Sequence, residues 1–139
     1  MKLKKINLFA LFIVLCLTTS CENDDNNNNN NNNNECIEYD TAYVTSVNSP
    51  RTGMINEVIN IEVIFRVFNG CGGFEKFIET ENENIRTIEV EAKYEGCICT
   101  QDAPLRTANY EFITSNTGDY ELNFKSSPTE FITVNLTIN

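Results

Sequence analysis

Two residue types are missing altogether: among 139 residues there is no His and no Trp. Without His the commonest general base and metal ligand is gone, which excludes Ser-His-Asp, Cys-His and His-zinc sites. Basic residues are scarce, 10 Lys and Arg against 20 Asp and Glu, for a formal charge of −10. A phosphate backbone is met with basic patches, so nucleic acid is excluded as a partner. Long hydrophobic runs are few: the one at residues 6–17 is about 12 residues, broken by Asn7, where a bilayer-spanning helix needs about 20. The length allows one domain of ordinary size and hardly two.

The short apolar run follows Lys2, Lys4 and Lys5, which is the pattern of a secretory signal peptide rather than a membrane span. It ends in Thr18-Thr19-Ser20-Cys21, which resembles the lipobox of bacterial lipoproteins. Lipoboxes usually place Leu three residues before the cysteine, whereas here Thr18 holds that place and Leu17 lies one earlier. Cys16 is a poorer candidate, because bulky Leu15 precedes it. The resemblance implies that Cys21 becomes the first mature residue and carries acyl chains. Two or more such chains give a stable bilayer tether.

Residues 22–35 contain acids and nine consecutive Asn, with no apolar side chain to bury. Such a segment cannot offset its ordering entropy and reads as a flexible spacer, with a reach of about 20 Å. Glu22, Asp24 and Asp25 resemble the export signal of surface lipoproteins in the Bacteroidota, which implies outer-membrane anchoring facing the cell surface, with the periplasmic face as the alternative. Three regions result: a signal peptide over 1–20, a lipidated cysteine and linker over 21–35, and a domain over 36–139. Cleavage removes three basic residues and no acid, so the mature chain holds 7 basic and 20 acidic residues, a charge of −13. That acidity favours solubility and repels anionic surfaces.

From residue 36 onward no window keeps helical spacing, but period-2 alternation recurs. Ile59, Ile61, Val63, Phe65 and Val67 point one way, against Asn60, Glu62 and Arg66. Ile88, Val90, Ala92 and Tyr94 form a second such face, Tyr120, Leu122 and Phe124 a third, and Ile132, Val134, Leu136 and Ile138 a fourth. Weaker strands are expected over 41–47, 74–80 and 107–114. Turn signals separate them, among them Pro50 with Gly53, Asn69-Gly70, Asn82 to Asn84 and Ser127-Pro128.

Seven short strands in about 100 residues fit an all-β fold, an antiparallel immunoglobulin-like sandwich. Gly118-Asp119-Tyr120 resembles the tyrosine corner of such domains, in which the phenol ties back to the preceding loop. The antibody-type core disulfide and Trp are absent, and Leu122 stands where the second cysteine would lie. The domain is therefore similar to bacterial Ig-like or fibronectin-III-like modules.

Four cysteines remain in that domain: Cys36, Cys71, Cys97 and Cys99. In the seven-strand order all four fall at one end of the sandwich, and an exported chain should join them as two disulfides. A Cys97–Cys99 ring is too tight, so Cys36 and Cys71 each pair with one member of Cys-Ile-Cys, in either order. The alternatives are a metal site built from all four cysteines or a redox pair, for which Cys-x-Cys spacing is a weaker signal than a two-residue gap between cysteines.

Other constellations are thinner. Gly70-Cys71-Gly72-Gly73 lacks a following Lys-Ser/Thr and is expected to serve backbone geometry at positive φ. Glu79, Glu81 and Glu83, and Glu89 with Glu91, each fall on one strand face, expected to be a solvated exterior rather than a calcium or acid–base site. Ile64 and Phe68 fall on an otherwise polar face, with Ile113 as a possible neighbour in a partner patch. No catalytic motif and no cofactor signature is present. The expected function is a tethered, non-enzymatic module whose stapled loops meet a protein or glycan. A cysteine-based metal or redox protein, or a small Ig-like protease inhibitor, is the alternative.

Overall fold

The structure, a computed structural model, describes residues 36–139; the expected signal peptide, the lipid-attachment residue Cys21 and the linker lie outside the described residues. The strands are β1 (Ile37–Asn48), β2 (Thr52–Gly53), β3 (Ile59–Arg66), β4 (Gly72–Asn82), β5 (Ile85–Glu95), β6 (Leu105–Phe112), β7 (Gly118–Lys125) and β8 (Phe131–Ile138). The alternation that nucleates them decides which side chains are buried. In β3 the buried Ile59, Ile61, Val63 and Phe65 alternate with exposed Asn60, Glu62 and Arg66. In β5, Ile88, Val90, Ala92 and Tyr94 are buried, and in β7 Tyr120, Leu122 and Phe124. Among the described residues no polar or charged residue is buried, so the core is packed from apolar and aromatic side chains.

The β-sandwich has one layer made of β1, β3 and β6 and another made of β4, β5, β7, β8 and β2. β1 belongs to both. Residues Ile37 to Ala42 pair with β5, and Tyr43 to Asn48 pair with β3, with a register shift between Val44 and Ser46. A bulge bends a strand and sharpens its twist, which is what a strand crossing between layers requires.

Two details differ from a wholly antiparallel, seven-strand sandwich. An eighth strand, β2, pairs parallel with the end of β8 through Thr52↔Thr137 and Gly53↔Ile138, hidden in the sequence by the turn residues around it. The second parallel pair is β5 with β7, Ile85 to Ile88 beside Glu121 to Phe124. Strands that alternate direction along the chain put β5 and β7 in the same sense. Had β4 taken the inner place, its pairing with β7 would be antiparallel. Hydrophobicity explains the choice: β5 offers four side chains that become fully buried, while β4 is mostly polar and stays at the layer's edge.

The tyrosine corner forms. The Tyr120 hydroxyl donates to the Asn116 carbonyl at 3.2 Å and lies 2.9 Å from Thr114 Oγ1, tying the start of β7 to the loop before it.

Candidate functional site

The four cysteines meet at one end of the sandwich. Disulfides join Cys36 to Cys97 and Cys71 to Cys99, with Cα separations of 5.0 and 5.5 Å. Backbone bonds reinforce them: Gly96 N–H donates to the Cys36 carbonyl at 2.9 Å, and Gly70 N–H to that of Thr100 at 3.1 Å. Gly70 and Gly72 of this loop serve room, not positive φ as expected, while Gly73 stands in open space; the glycines with positive φ among the described residues are Gly96 and Gly118. A Cβ on Gly72 would lie 2.5 Å from Tyr94 Cε1 and 2.6 Å from Val67 Cβ, so the loop can cross the core only where no side chain exists. Gly96, at φ +143°, turns the chain between β5 and the Cys97–Cys99 loop.

Beside this end, the crossing of β1 leaves a gap in the sandwich. The chain continues past Arg66, the end of β3 and the last residue it pairs with β1, and β1 has by then moved to the other layer. The gap is a cleft of about 520 Å³ lined by residues that include Asp40, Tyr43, Arg66, Phe68, Tyr94 and Ser126. That volume lies within the range of small-ligand and peptide-side-chain pockets, about 300–1,000 Å³. Its floor is aromatic: the Phe68 ring stacks on Tyr94 with centroids 3.8 Å apart, and Phe68 N–H donates to the Tyr94 hydroxyl at 3.3 Å. Phe68 remains 46% exposed and Tyr43 37%, so apolar ring surface faces solvent here.

The cleft lining carries one acid, Asp40, and one base, Arg66, while Glu38 lines the smaller cavity beside Tyr94. In the β1–β5 register Glu38 is opposite Tyr94 and Asp40 opposite Ala92, so both acids share the face that carries the Tyr94 ring. Burial raises the Tyr94 phenol above its ordinary value; Asp40 and Glu38 push it further up, against the Phe68 N–H bond. Arg66 also lines the cleft, but its guanidinium donates to the Ala103 carbonyl at 3.1 Å. A smaller cavity of about 240 Å³ includes Cys36, Ile37, Glu38, Asn69 and Tyr94 in its lining. Tyr94 lines both cavities.

The carboxylates Glu79, Glu81 and Glu83 are exposed, as expected of a solvated strand, but Glu79 and Glu81 also join an ion-pair network. A register shift between Phe74 and Lys76 turns Phe77, Glu79 and Glu81 toward the sandwich interior, opposite Val90, Ile88 and Arg86. There β4 and β6 are the edges of facing layers, and a polar network closes the gap between them. Tyr110 donates to Glu79 Oε2 at 2.5 Å, and Arg86 pairs with Glu79 at 3.0 Å and Glu81 at 3.7 Å. The Arg86 guanidinium carbon lies 4.5 Å from the Phe112 ring centroid, so the aromatic face shares its charge. Burial drives the Tyr110 phenol well above the usual tyrosine range, and the Glu79 carboxylate adds to the rise while Arg86 opposes it. Behind the network, Phe74, Phe77, Tyr110 and Phe124 form a run of ring contacts with centroids 4.7 to 5.7 Å apart.

The remaining candidates are dispersed. Glu83 lies in the β4–β5 turn at φ +55°, while Glu89 pairs with Lys125 at 2.9 Å and Glu91 with Lys76 at 3.1 Å on the outer face. Among the described residues no group of three or more acidic or cysteine side chains could hold a metal ion. Ile64, Phe68 and Ile113 do not form one patch. Ile64 pairs with Thr107, whereas Ile113 follows Phe112, which pairs with Ile59; Phe68 lies beyond the opposite end of β3 on Tyr94. Sequence reasoning passed over Tyr43 and Arg86. The Phe74-x-x-Phe77 spacing, out of step with a plain strand, was the signal for the bulge that aims Glu79 at Arg86.

The fold has a counterpart among known families: the ORF11 beta-sandwich domain matches residues 61–135, from inside β3 to inside β8. No curated protein and no solved structure matches the chain. The matched span is more than half of the sequence and covers the strands that form most of the core, so the chain belongs to the ORF11 beta-sandwich domain family.

Proposed function

We propose that this chain is a bacterial lipoprotein of the Bacteroidota type, tethered to the outer membrane through acylated Cys21, whose β-sandwich is a non-enzymatic binding module. The observation that carries the binding role is the cleft beside β1, where Phe68 and Tyr43 keep ring surface exposed next to Asp40. Exposed aromatic side chains on a rigid frame are common anchors of recognition. The pairing of all four domain cysteines supports this reading over a cysteine-based metal protein, since no thiolate remains among them to ligate a metal. The residues of the N-terminal region support the anchor: a Lys-rich start, a short apolar run and Ser20-Cys21, followed by an acidic spacer.

Two experiments test the two halves separately. Inhibiting lipoprotein signal peptidase should leave an unprocessed precursor, and Cys21→Ser should abolish acylation. A variant still cut at the same place and released soluble refutes the anchor. For the module, affinity capture from envelope and host extracts with the full chain is compared with Phe68→Ser and Tyr43→Ser. Partners lost in both variants support the cleft, and a capture profile unchanged by either refutes it.

A further inference from the structure

The cleft borders a strand edge that no other strand of the sandwich covers. Gly96 N–H donates to the Cys36 carbonyl, which sets the phase of the β1–β5 ladder. In an antiparallel pair alternate residues turn their main-chain groups toward the partner. The N–H and C=O groups of Ile37, Tyr39 and Thr41 therefore face away from β5. Thr41 confirms the phase, because its N–H is taken by Asp40 Oδ1 at 2.7 Å instead of by a strand. Thr41 lines the cleft and Ile37 the smaller cavity.

Another edge of the sandwich is blunted: β4 carries a bulge between Phe74 and Lys76. The β1 edge has neither bulge nor Pro nor Lys over Ile37 to Thr41, only Glu38 and Asp40. Those acids decide which strand is accepted. A second copy paired along the same edge would bring its own Glu38 and Asp40 against these. The chain's own segment 22–35 carries four acids and no base, so it offers no cation to these carboxylates. Residues 36–139 hold 16 acidic and 7 basic side chains, a charge of −9, which extends the same preference over longer range.

We infer that β1 takes up an extended peptide segment bearing Lys or Arg at alternate positions, added as a strand along Ile37 to Thr41 with its cationic side chains at Glu38, Asp40 and the Phe68–Tyr94 rings. The inference rests on the binding role proposed for the cleft and specifies its partner. Glu38 and Asp40 are two residues apart, about 7 Å, which equals the spacing of alternate side chains on an added strand. Main-chain bonds supply affinity in this mode and alternate side chains supply selectivity. Exposed aromatic rings beside carboxylates suit ammonium and guanidinium groups.

The test uses the full chain and a fluorescein-labelled heptapeptide of alternating lysine and threonine. Expected are saturable binding that weakens with salt, and at least tenfold slower amide exchange at Ile37 and Tyr39. N-methylation of alternate peptide amides should weaken binding at least tenfold, and so should the Glu38→Gln, Asp40→Asn double variant, in which the side-chain oxygen at position 40 still accepts from Thr41 N–H. The inference is overturned by an absence of binding at millimolar peptide, or by equal binding of the N-methylated or a glutamate-substituted peptide. It is also overturned if the Ile37 and Tyr39 amides are already protected without peptide, which would mean that the chain itself covers the edge. None of these results touches the Phe68 and Tyr43 capture comparison, so the cleft as a binding site stands or falls separately.

Discussion

Replacing Arg86 by Met tests whether the β4–β6 gap is sealed by a built network or merely decorated by surface charge. The Arg86 side chain is only 13% exposed and its partner Glu79 32%, so this pair lies between the exposed and the buried regime. Exposed pairs contribute about 0–1 kcal/mol, and breaking a fully buried pair costs about 3–5 kcal/mol. An intermediate loss of about 1–1.5 kcal/mol for the ion pair, with about 0.5–1 kcal/mol for the contact over Phe112, gives roughly 2 kcal/mol. Methionine preserves most of the aliphatic volume, so little of that is cavity formation. In a domain of this size 2 kcal/mol lowers Tm by about 8 °C. The measurement is urea and thermal unfolding of Arg86→Met, Glu79→Gln and the double variant, with a coupling of about 1 kcal/mol expected between the two sites. Lys76→Met is the control, since Lys76 is 60% exposed in its pair with Glu91 and should change stability by less than about 0.5 kcal/mol. If Arg86→Met costs no more than the control, the gap is ordinary solvated surface and the bulge does not aim Glu79 inward.

Three further outcomes are expected. Tyr120→Phe should cost about 1–3 kcal/mol in chemical unfolding, because it removes a hydroxyl shared by Asn116 and Thr114 and leaves both without that partner. The Cys71→Ser, Cys99→Ser double variant reopens a ring with a sequence separation of 28, which by loop entropy costs about 3–4 kcal/mol; an unchanged urea midpoint refutes this. Stability should fall as pH rises above about 10, where the unfolded chain ionises its tyrosines while burial keeps the Tyr110 phenol protonated in the fold. Because the folded pKa is raised, this contribution is complete below about pH 10 and is lost above it. Tyr110→Phe should flatten that part of the curve, and an unaltered alkaline slope would contradict the assignment.

How much of the architecture was legible depended on how local its cause was. The buried faces of β3, β5 and β7 were readable because each is a plain period-2 pattern, and residues 59–65, 88–94 and 120–124 are buried in step with it. The tyrosine corner was readable because its partners lie within six residues of Tyr120. The face carrying Glu79 was not, because one extra residue after Phe74 reverses every side chain that follows. The cleft was still less accessible. It exists because β1 changes layers near Ala42 and Tyr43, a consequence of pairing with β5 at one end and β3 at the other. Nothing in the sequence around Tyr43 announces that change, so its half-exposed ring looks like any strand tyrosine.

The Cys36–Cys97 bridge also determines how the domain bears load. Any tension arriving along the chain from residues before Cys36 reaches the sandwich at the very start of β1. Without the bridge, that tension would peel β1 from β5 one ladder bond at a time, beginning at Ile37 and Glu95, and the layer-crossing strand would be the first to go. With it, the pull passes through a covalent bond into the segment directly after β5, the strand held by β4 along one edge and by β7 and β1 along the other. The weakest geometry for a hydrogen-bonded ladder, opening from its end, is thereby converted into a load on the best-supported strand of the fold.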